Sequence, residues 1–272
     1  MKQKHVDYKM VPNPKLQRFY AAMFRSAQHT PIMHGLLEVD VTMARALLRE
    51  HKANTGESLS FTAFLIACLA KAVDEHKAVQ ASRKGSKHLI LFEDVDVLTY
   101  IERGAAPMPY IIRAANHKTV REIHHEIRAA QVQDTEKDLK WLQFLPALLF
   151  RPFFWVFSWI GRRYPQLWKK YVGTVGITAV GMFGKGAGWG IPPALPTLMM
   201  TVGGIGEKLV LVDGHIAMRD YLSLTISFDH DIIDGAPAAR FTERLKKLIE
   251  SGYGLPDFTV EPELVGAVGD VR

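Results

Sequence analysis

The stretch YLSLTISFDHDIIDGAPAARFTERLKKLIE, residues 221–250, carries the strongest structural signal in the chain. Its first part alternates apolar and polar side chains, which predicts a β-strand that ends at His230. Asp234 and Gly235 then mark a sharp turn, and residues 236–251 have the spacing of an amphipathic helix. A histidine held at such a strand end can act as a general base near neutral pH. The structural alternative is a turn that contains a partly buried histidine.

The composition is that of an ordinary globular protein, because 48% of the 272 residues are hydrophobic and 23% are charged. It excludes a disordered chain, a collagen-like repeat and a small disulfide-stapled fold. The net charge of +6 favours anionic partners such as phosphate-bearing cofactors, acidic proteins or anionic lipid. No nucleic-acid motif accompanies this charge, so nucleic-acid binding is not expected. The first residues lack the apolar core of a signal peptide, so the expected location is the cytoplasm.

The other patterns predict a single mixed α/β domain over residues 1–272, with residues 1–15 as a polar N-terminal arm. Helices and strands alternate without an internal repeat. The predicted helices cover 16–28, 43–54 (with Thr42 as N-cap), 61–76 and 118–140. The predicted strands lie at 33–41, within 89–101, within 103–115, at 173–184 (running into a glycine loop) and at 197–218 (two strands joined at Asp213–Gly214).

Three residues with reactive side chains are predicted to have no catalytic role. Cys68 lies on the most apolar helix, where a free cysteine behaves as a small hydrophobe. His124 and His125 are neighbours on a polar helix, where adjacent side chains point about 100° apart. We therefore predict that both histidines are solvated and do not chelate a metal together. No metal cofactor is expected.

The motif H-x-x-x-D-G from His230 to Gly235 resembles the active-site motif of CoA-dependent acyltransferases of the chloramphenicol acetyltransferase type. The wider run resembles the catalytic domain of dihydrolipoyl acyltransferases, the core subunits of 2-oxo-acid dehydrogenase complexes, whose pattern is D-H-R-x-x-D-G-A. GITAVGMFG at 176–184 resembles the T-I-S-N-L-G-x-x-G stretch of that family. The resemblance implies an α/β (α+β sandwich) fold with a mixed β-sheet flanked by helices. It also implies a homotrimer, which in this family can assemble further.

The resemblance assigns the catalytic roles by position. His230 is the expected general base, which takes the proton of a thiol or hydroxyl as that group attacks an acyl-CoA thioester. Thr178 is the expected oxyanion donor, and Asp234 supports the local structure of the site. His230 and Thr178 are expected to come from different subunits, with CoA and the acceptor entering a channel from opposite ends.

The expected binding residues fall into three groups. Gly235 and Asp231 lie on the motif turn itself. His34 is a candidate for lining the acceptor channel. The candidates for binding the CoA phosphates, because planar guanidinium groups suit phosphate oxygens, are Arg18, Arg25, Arg103 and Arg113.

This sequence departs from the family pattern at three places. Asp231 replaces the arginine that follows the family's histidine, and Ala179 replaces the asparagine of T-I-S-N-L-G. The lipoyl and subunit-binding domains are missing, so no covalently bound lipoate is expected in this chain. The predicted acceptor is then a lipoyl domain supplied in trans, or a group other than lipoamide. The alternative function is a non-catalytic oligomeric scaffold, which the two substitutions favour and the intact His230, Asp234 and Thr178 oppose.

Residues 141–170 are predicted to be an aromatic-rich insertion within the domain. The run WLQFLPALLFRPFFWVFSWI at 141–160 is long enough to span a bilayer, but two prolines and Arg151 oppose a regular spanning helix. Trp, Phe and Tyr beside Arg and Lys are typical of an interfacial segment. The alternatives are contact with lipid or a membrane surface, packing on protein, and true spanning. Lipid contact would imply a long-chain acyl thioester or a lipid alcohol as substrate.

Overall fold

The computed structural model describes residues 9–27, 30–85, 87–103, 106–132, 146–179, 186–193 and 196–255. Several predictions fall in part outside these residues: the arm at 1–15, the helices at 16–28 and 118–140, the strand within 103–115, and the glycine loop after residue 179. The part of the aromatic insertion at 141–145 also lies outside them.

The described chain forms eight strands and seven α-helices, at nearly all the predicted places. The strands are β1 (Ile32–Asp40), β2 (Ser82–Lys84), β3 (His88–Ile90), β4 (Val97–Arg103), β5 (Ala106–Ile112), β6 (Val175–Ala179), β7 (Leu198–Val212) and β8 (His215–Asp229). The helices are α1 (Lys15–Ala27), α2 (Thr42–Thr55), α3 (Phe61–Glu75), α4 (Val120–Val132), α5 (Phe150–Arg163), α6 (Pro165–Val172) and α7 (Gly235–Glu250). Short 3₁₀ turns cover Lys77–Gln80, Ala115–His117 and Ala147–Leu149.

Six strands form one mixed sheet in the order β1-β8-β7-β6-β4-β5, and β2 and β3 form a separate hairpin. The β6 strand pairs in parallel with both β7 and β4, whereas the other pairs of the large sheet are antiparallel. The turn Asp213–Gly214 joins β7 to β8 as predicted, with φ values of 49° and 82°. Both values lie in the left-handed region that two-residue hairpin turns require.

The main core lies between the sheet and helices α3, α4 and α7. Helix α3 is buried along most of its length, as its apolar sequence predicts, and Ser60 caps it by accepting a hydrogen bond from the Ala63 amide at 3.4 Å. The cap predicted for α2 is wrong. Thr42 is the first helical residue, and its amide instead donates to the Asp40 carboxylate at 2.9 Å. The aspartate is better placed because it lies two residues before the amide, in the extended backbone of β1.

The part of strand β8 that leads to His230, residues 222–228, is buried on both faces. Its apolar residues face the core, and the polar residues between them, Ser223, Thr225 and Ser227, are also at most 1% exposed. Part of the cover is the segment 186–193, where the Gly188 amide donates to the Ser223 hydroxyl at 3.2 Å. Gly203 and Gly204 permit this approach, because a Cβ at either position would lie about 2 Å from a carbonyl oxygen of that segment.

Candidate active site

The turn after β8 holds His230 through its backbone. The His230 amide donates to the Pro31 carbonyl at 2.8 Å, and the preceding Asp229 amide donates to the Thr197 carbonyl at 2.9 Å. The turn is therefore attached to the start of β1 and to the start of β7. The imidazole of His230 is exposed, and it has no hydrogen-bond partner within the part of the chain that the structure describes. It is free to exchange a proton with a bound group.

Asp229 closes the same turn with its side chain. Its Oδ1 accepts a hydrogen bond from the Asp231 amide at 3.0 Å, and its carbonyl accepts from the amides of Ile232 and Ile233. Burial raises the pKa of Asp229, while the amide hydrogen bond from Asp231 opposes the rise and the nearby Asp231 carboxylate adds to it. Sequence reasoning noted Asp229 only as part of the motif and missed this bracing role. The signal for it was the short Asx spacing, D-H-D.

Asp231, the acidic replacement beside the histidine, has a partner in Arg83. The Arg83 guanidinium donates to the Asp231 carbonyl at 3.0 Å and lies 3.2 Å from its carboxylate. Arg83 lies on β2, far away in sequence, so a cation is still present next to His230. The charge reversal in the sequence is thus balanced inside the same chain. No sequence signal pointed to Arg83.

The expected bracing role of the Asp234 side chain is not what the structure shows. Asp234 occupies the N-cap position of α7, but its side chain makes no capping hydrogen bond, and only its carbonyl is used, by the Ala238 amide. Asp229 and Arg83 brace the turn instead, because their atoms reach the turn backbone and the Asp234 side chain points outward, exposed to solvent. Apart from the adjoining backbone, a Cβ added to Gly235 would meet no atom of the described residues within 4 Å. Space beside Gly235 is therefore open to a ligand or to another chain.

Thr178 lies on β6 and is remote from His230 in the same chain. The register places Thr178 opposite Thr201, and Thr201 opposite Thr225 on β8. His230 is five residues beyond Thr225 and two strands away from β6, which corresponds to about 16 Å along the strands and about 10 Å across them. The two groups cannot act on one substrate within a single subunit.

The three threonines form a row of hydroxyls on the polar face of the sheet. Thr201 and Thr225 are fully buried, and neither hydroxyl has a hydrogen-bond partner among the described residues. On the same face, His34 of β1 lies opposite Ser227, and the His34 Nδ1 is 2.8 Å from the Ser227 hydroxyl. This contact fixes the orientation of the exposed His34 ring. The polar face thus carries hydroxyl groups from β6, β7 and β8 and an imidazole from β1.

The structure gives the four candidate arginines different surroundings. Arg113 bonds the nearly buried Asp96 carboxylate at 2.8 Å and the carbonyls of Lys169 and Lys170 at the end of α6. These contacts occupy the Arg113 guanidinium in holding α6 against β4, which is a structural role. Arg18 and Arg25 are exposed on α1. The side chain of Arg103, at the end of β4, lies outside the described residues.

The prediction that His124 is solvated is wrong. His124 is only 6% exposed, and its Nδ1 accepts a hydrogen bond from the Ser60 amide at 3.1 Å. Burial is the main cause that lowers its pKa. His125 is exposed, as predicted, and lies 3.1 Å from Glu57. The fold brings α4 against the loop before α3, which the helix pattern alone does not reveal.

Glu57, His124 and His125 place one potential ligand atom each within 4.8 Å of one another, contrary to the argument from helix geometry. The bonding nevertheless disfavours a metal. The His124 Nδ1 accepts an amide proton, so the neutral ring carries its own proton on Nε2 and offers no lone pair there. Glu57 is also bonded by the Arg121 guanidinium, at 2.6 and 2.9 Å, which lowers its pKa to about 2.

Comparison with known proteins now adds to this geometry. Residues 6–144 and 171–255 match the family model described as 2-oxoacid dehydrogenases acyltransferase (catalytic domain). The chain belongs to this family. The internal segment that the family model leaves unmatched, residues 145–170, contains α5 and most of α6.

Curated relatives of this family cover most of the chain. The lipoamide acyltransferase component of the branched-chain alpha-keto acid dehydrogenase complex of Bacillus subtilis (strain 168) is 25% identical over 236 residues. These residues are 84% of this chain and 49% of that protein. The chain spans about half the length of the curated relatives it matches.

Solved structures confirm the predicted fold. The dihydrolipoamide acetyltransferase of Azotobacter vinelandii superposes with a TM-score of 0.68 at 22% identity, over 91% of this chain and 93% of that chain. The role of a serine, a histidine and an asparagine in its catalytic mechanism has been investigated. A chloramphenicol acetyltransferase gives a TM-score of 0.51 at 15% identity, over 88% of this chain and 96% of that chain.

Proposed function

We propose that this chain transfers an acyl group between a CoA thioester and a thiol or hydroxyl acceptor, with His230 as the general base. The observation that carries the proposal is the exposed, unpaired imidazole of His230 on a turn whose backbone is bonded on both sides. The backbone bonds fix where the side chain leaves the turn, and the imidazole has no hydrogen-bond partner among the described residues. Membership of the acyltransferase family supports the same assignment.

The positions of the expected catalytic residues also support the proposal. In the Azotobacter vinelandii enzyme, the serine precedes the histidine by 52 residues and the asparagine follows the histidine by four. The same two spacings separate Thr178, His230 and Asp234 in this chain. Thr178 keeps the hydroxyl of the serine, and Asp234 is close in shape to the asparagine but carries a charge.

In the proposed reaction, His230 takes the proton from the acceptor S–H or O–H group as that atom attacks the thioester carbonyl. The carbonyl π bond opens, and the negative charge moves to the oxygen of a tetrahedral intermediate. The Thr178 hydroxyl donates a hydrogen bond to this oxyanion. When the intermediate collapses, the C–S bond to CoA breaks and the leaving sulfur receives the proton from the imidazolium. The acyl group ends on the acceptor, and His230 returns to its neutral form.

This mechanism requires Thr178 from one subunit to meet His230 of another, so we infer a homotrimer with its active sites between subunits. The outer half of the β7–β8 hairpin supports an assembly. Leu211 and Ile216, which pair across the hairpin, are both 75% exposed, and Leu209 and Met218 continue the same apolar face. A contiguous apolar face of this kind is typical of a protein contact.

We further propose that the acyl acceptor is a dihydrolipoyl group on a separate lipoyl domain. Relatives about twice as long as this chain bear names of lipoamide acyltransferases and of dihydrolipoyllysine-residue acyltransferases, which supports this choice. His34, fixed by Ser227 on the polar face, is the proposed lining of the acceptor path.

The test is transfer from acyl-CoA to free dihydrolipoamide by the purified protein, compared with the variants His230→Ala and Met43→Ala. Met43 is 53% exposed on α2, so its substitution is a matched surface control. We expect His230→Ala to lower kcat by roughly 10²–10⁴-fold while the control stays at the wild-type rate. Unchanged turnover in His230→Ala would refute the mechanism. Failure of the wild-type protein to bind CoA or to transfer any acyl group would favour the scaffold alternative.

A further inference from the structure

The segment that the family model leaves unmatched forms one side of a small helical layer. Helix α5 packs against α1, and Phe150 and Phe154 of α5 enclose Ala22 of α1 in a core of their own. Phe19 lies between them, with ring centroids 5.4 Å from Phe150 and 4.8 Å from Phe154. The β2–β3 hairpin contacts α5 and α6 from another side. We call residues 9–27, which include α1, the stretch 146–173 and the β2–β3 hairpin the insertion layer.

The outer face of α5 carries an exposed apolar stripe bordered by the exposed Arg151 and Arg163. Pro152, Trp155, Val156 and Trp159 recur at the spacing of one helix face, and all four are exposed. Trp155 is 69% exposed and Trp159 57%, and Leu148 just before the helix is 86% exposed. An exposed apolar stripe bordered by polar residues marks a surface that contacts protein or lipid. In the described structure, only its inner face is enclosed.

The charge of the insertion layer is of one sign. Residues 9–27, 82–90 and 146–173 contain twelve Lys and Arg residues and not one Asp or Glu. The rest of the chain holds 22 Lys and Arg against 28 Asp and Glu, so it is net acidic. The net positive charge of the protein therefore resides in this layer. Among the ion pairs of the described residues, Arg83 reaches outside the layer to Asp231, and Lys169 reaches Asp94 and Asp96.

The basic and apolar features meet at the end of α5. An open cavity of about 530 Å³ is lined by Lys84, Gly85 and His88 of the hairpin and by Arg163, the last residue of α5. Trp159 lies one helical turn before Arg163 on the same face. An exposed apolar stripe thus leads to a basic cavity, an arrangement that fits the acyl region and the phosphate headgroup of an anionic lipid.

We propose that the insertion layer docks this protein on the surface of an anionic lipid bilayer, with α5 lying in the interface. The 14 residues of α5 span about 21 Å, too short for the hydrocarbon core, and no helix among the described residues has the length and hydropathy to cross a membrane. Tryptophan at the polar–apolar boundary and cations near the headgroups are the features of an interfacial helix. This inference does not depend on the proposed acyl transfer.

Other occupants fit the layer less well. A second copy docked face to face would bring two basic layers together without a compensating acidic residue from either one. A nucleic acid would use the cations but would leave the aliphatic side chains of Leu148 and Val156 without a partner. A bilayer that contains anionic lipid matches both the charge and the aliphatic stripe.

The test is co-sedimentation of the intact protein with two kinds of vesicle. One is made of phosphatidylcholine alone, and the other also contains about 30% phosphatidylglycerol, which gives it a negative surface potential. We expect binding to the anionic vesicles that weakens with salt, and a blue shift with quenching of tryptophan fluorescence when brominated acyl chains are used. The variant Trp155→Ala/Trp159→Ala should lose roughly tenfold or more in affinity. Lys84→Ala/Arg163→Ala should lose about fivefold per cation on the anionic vesicles only.

The control variant is Met43→Ala/Tyr253→Ala, which removes two exposed apolar side chains outside the insertion layer. Met43 lies on α2, and Tyr253 follows the end of α7. It should bind vesicles like the wild type. Absence of binding to either vesicle type, or equal binding by the tryptophan variant and the wild type, would overturn the proposal. So would a fall in oligomer size of the tryptophan variant without lipid, which would assign α5 to a protein contact. The proposal would equally be overturned if the Lys84→Ala/Arg163→Ala variant lost more affinity for an oligonucleotide than for the anionic vesicles.

Discussion

A mixed oligomer built from two inactive variants provides the sharpest test of how the site is assembled. Thr178→Val removes the hydroxyl and keeps the shape of the side chain, and His230→Ala removes the base. In one subunit, Thr178 and His230 are five residues apart along the strands and two strands apart across the sheet. That separation, about 19 Å, exceeds the reach of two groups that must touch one acyl carbon. The two lesions should therefore complement each other between subunits.

The expected gain follows from the geometry of a cyclic trimer. Any trimer that contains both variants has one interface at which an intact His230 meets an intact Thr178, whichever variant is present twice. About one third of its sites should then be active. Each variant alone should retain roughly 1% of the wild-type rate or less, because removal of a base or of an oxyanion donor costs roughly 10²-fold or more.

The assay is co-expression of the two variants with different affinity tags, purification on both tags in sequence, and measurement of acyl transfer per subunit. Wild-type protein that carries both tags and is purified in the same way provides the reference rate. Gel filtration confirms that the mixed and reference oligomers have the same size. A doubly tagged mixture that is no more active than either parent would show that Thr178 and His230 do not meet between subunits.

Three further predictions follow from contacts outside this pair. Arg83→Asp should lower acyl-transfer activity. It should change the free energy of unfolding by about 1 kcal/mol or less, because the Arg83–Asp231 pair is exposed. The charge swap Arg83→Asp/Asp231→Arg should recover part of the activity. The pKa of Glu57 is about 2, below its ordinary value of 4.5, so Glu57 should contribute stability that is present above pH 4.5 and is lost as the pH falls toward 2. In Glu57→Gln, the slope of Tm against pH in that window should flatten. An unchanged slope would contradict this prediction. Cys68 is fully buried and burial raises the pKa of its thiol, so a thiol reagent such as dithionitrobenzoate should react with it only after denaturation, and rapid reaction in the native protein would disprove the core assignment.

Local sequence signals predicted the elements of this fold well. The strand that ends before His230, the turn at Asp213–Gly214 and the helix over Phe61–Glu75 appear where the pattern placed them. Each depends on nearest-neighbour physics: the period of the apolar residues, a turn with positive φ, or a capping serine. The motif around His230 also gave the fold family, because its histidine, aspartate and glycine are close together in the chain.

Errors arose where a distant segment supplied the deciding contact. His124 was expected to be solvated, yet the packing of α4 against the loop before α3 buries it under the Ser60 amide. Asp234 was expected to brace the turn, yet Asp229 and Arg83 do so. The contacts of His124 with Ser60 and of Asp231 with Arg83 leave no trace in the local sequence, because only the tertiary fold brings these partners together. The Asp229 contact is local, and its Asx spacing was overlooked.

The sequence by itself determined which chemical groups this protein has and much of the local structure that holds them: a histidine at a strand end, a threonine on a strand, and an aromatic-rich segment beside basic residues. Only the tertiary structure decided how these groups relate in space. It placed Thr178 and His230 too far apart to act within one subunit, balanced Asp231 with Arg83, and joined α5 to two other basic segments that contain no acidic residue. The physical reason is that local structure depends on neighbours in the chain, whereas a site or a charged surface depends on segments that meet only when the sheet has formed.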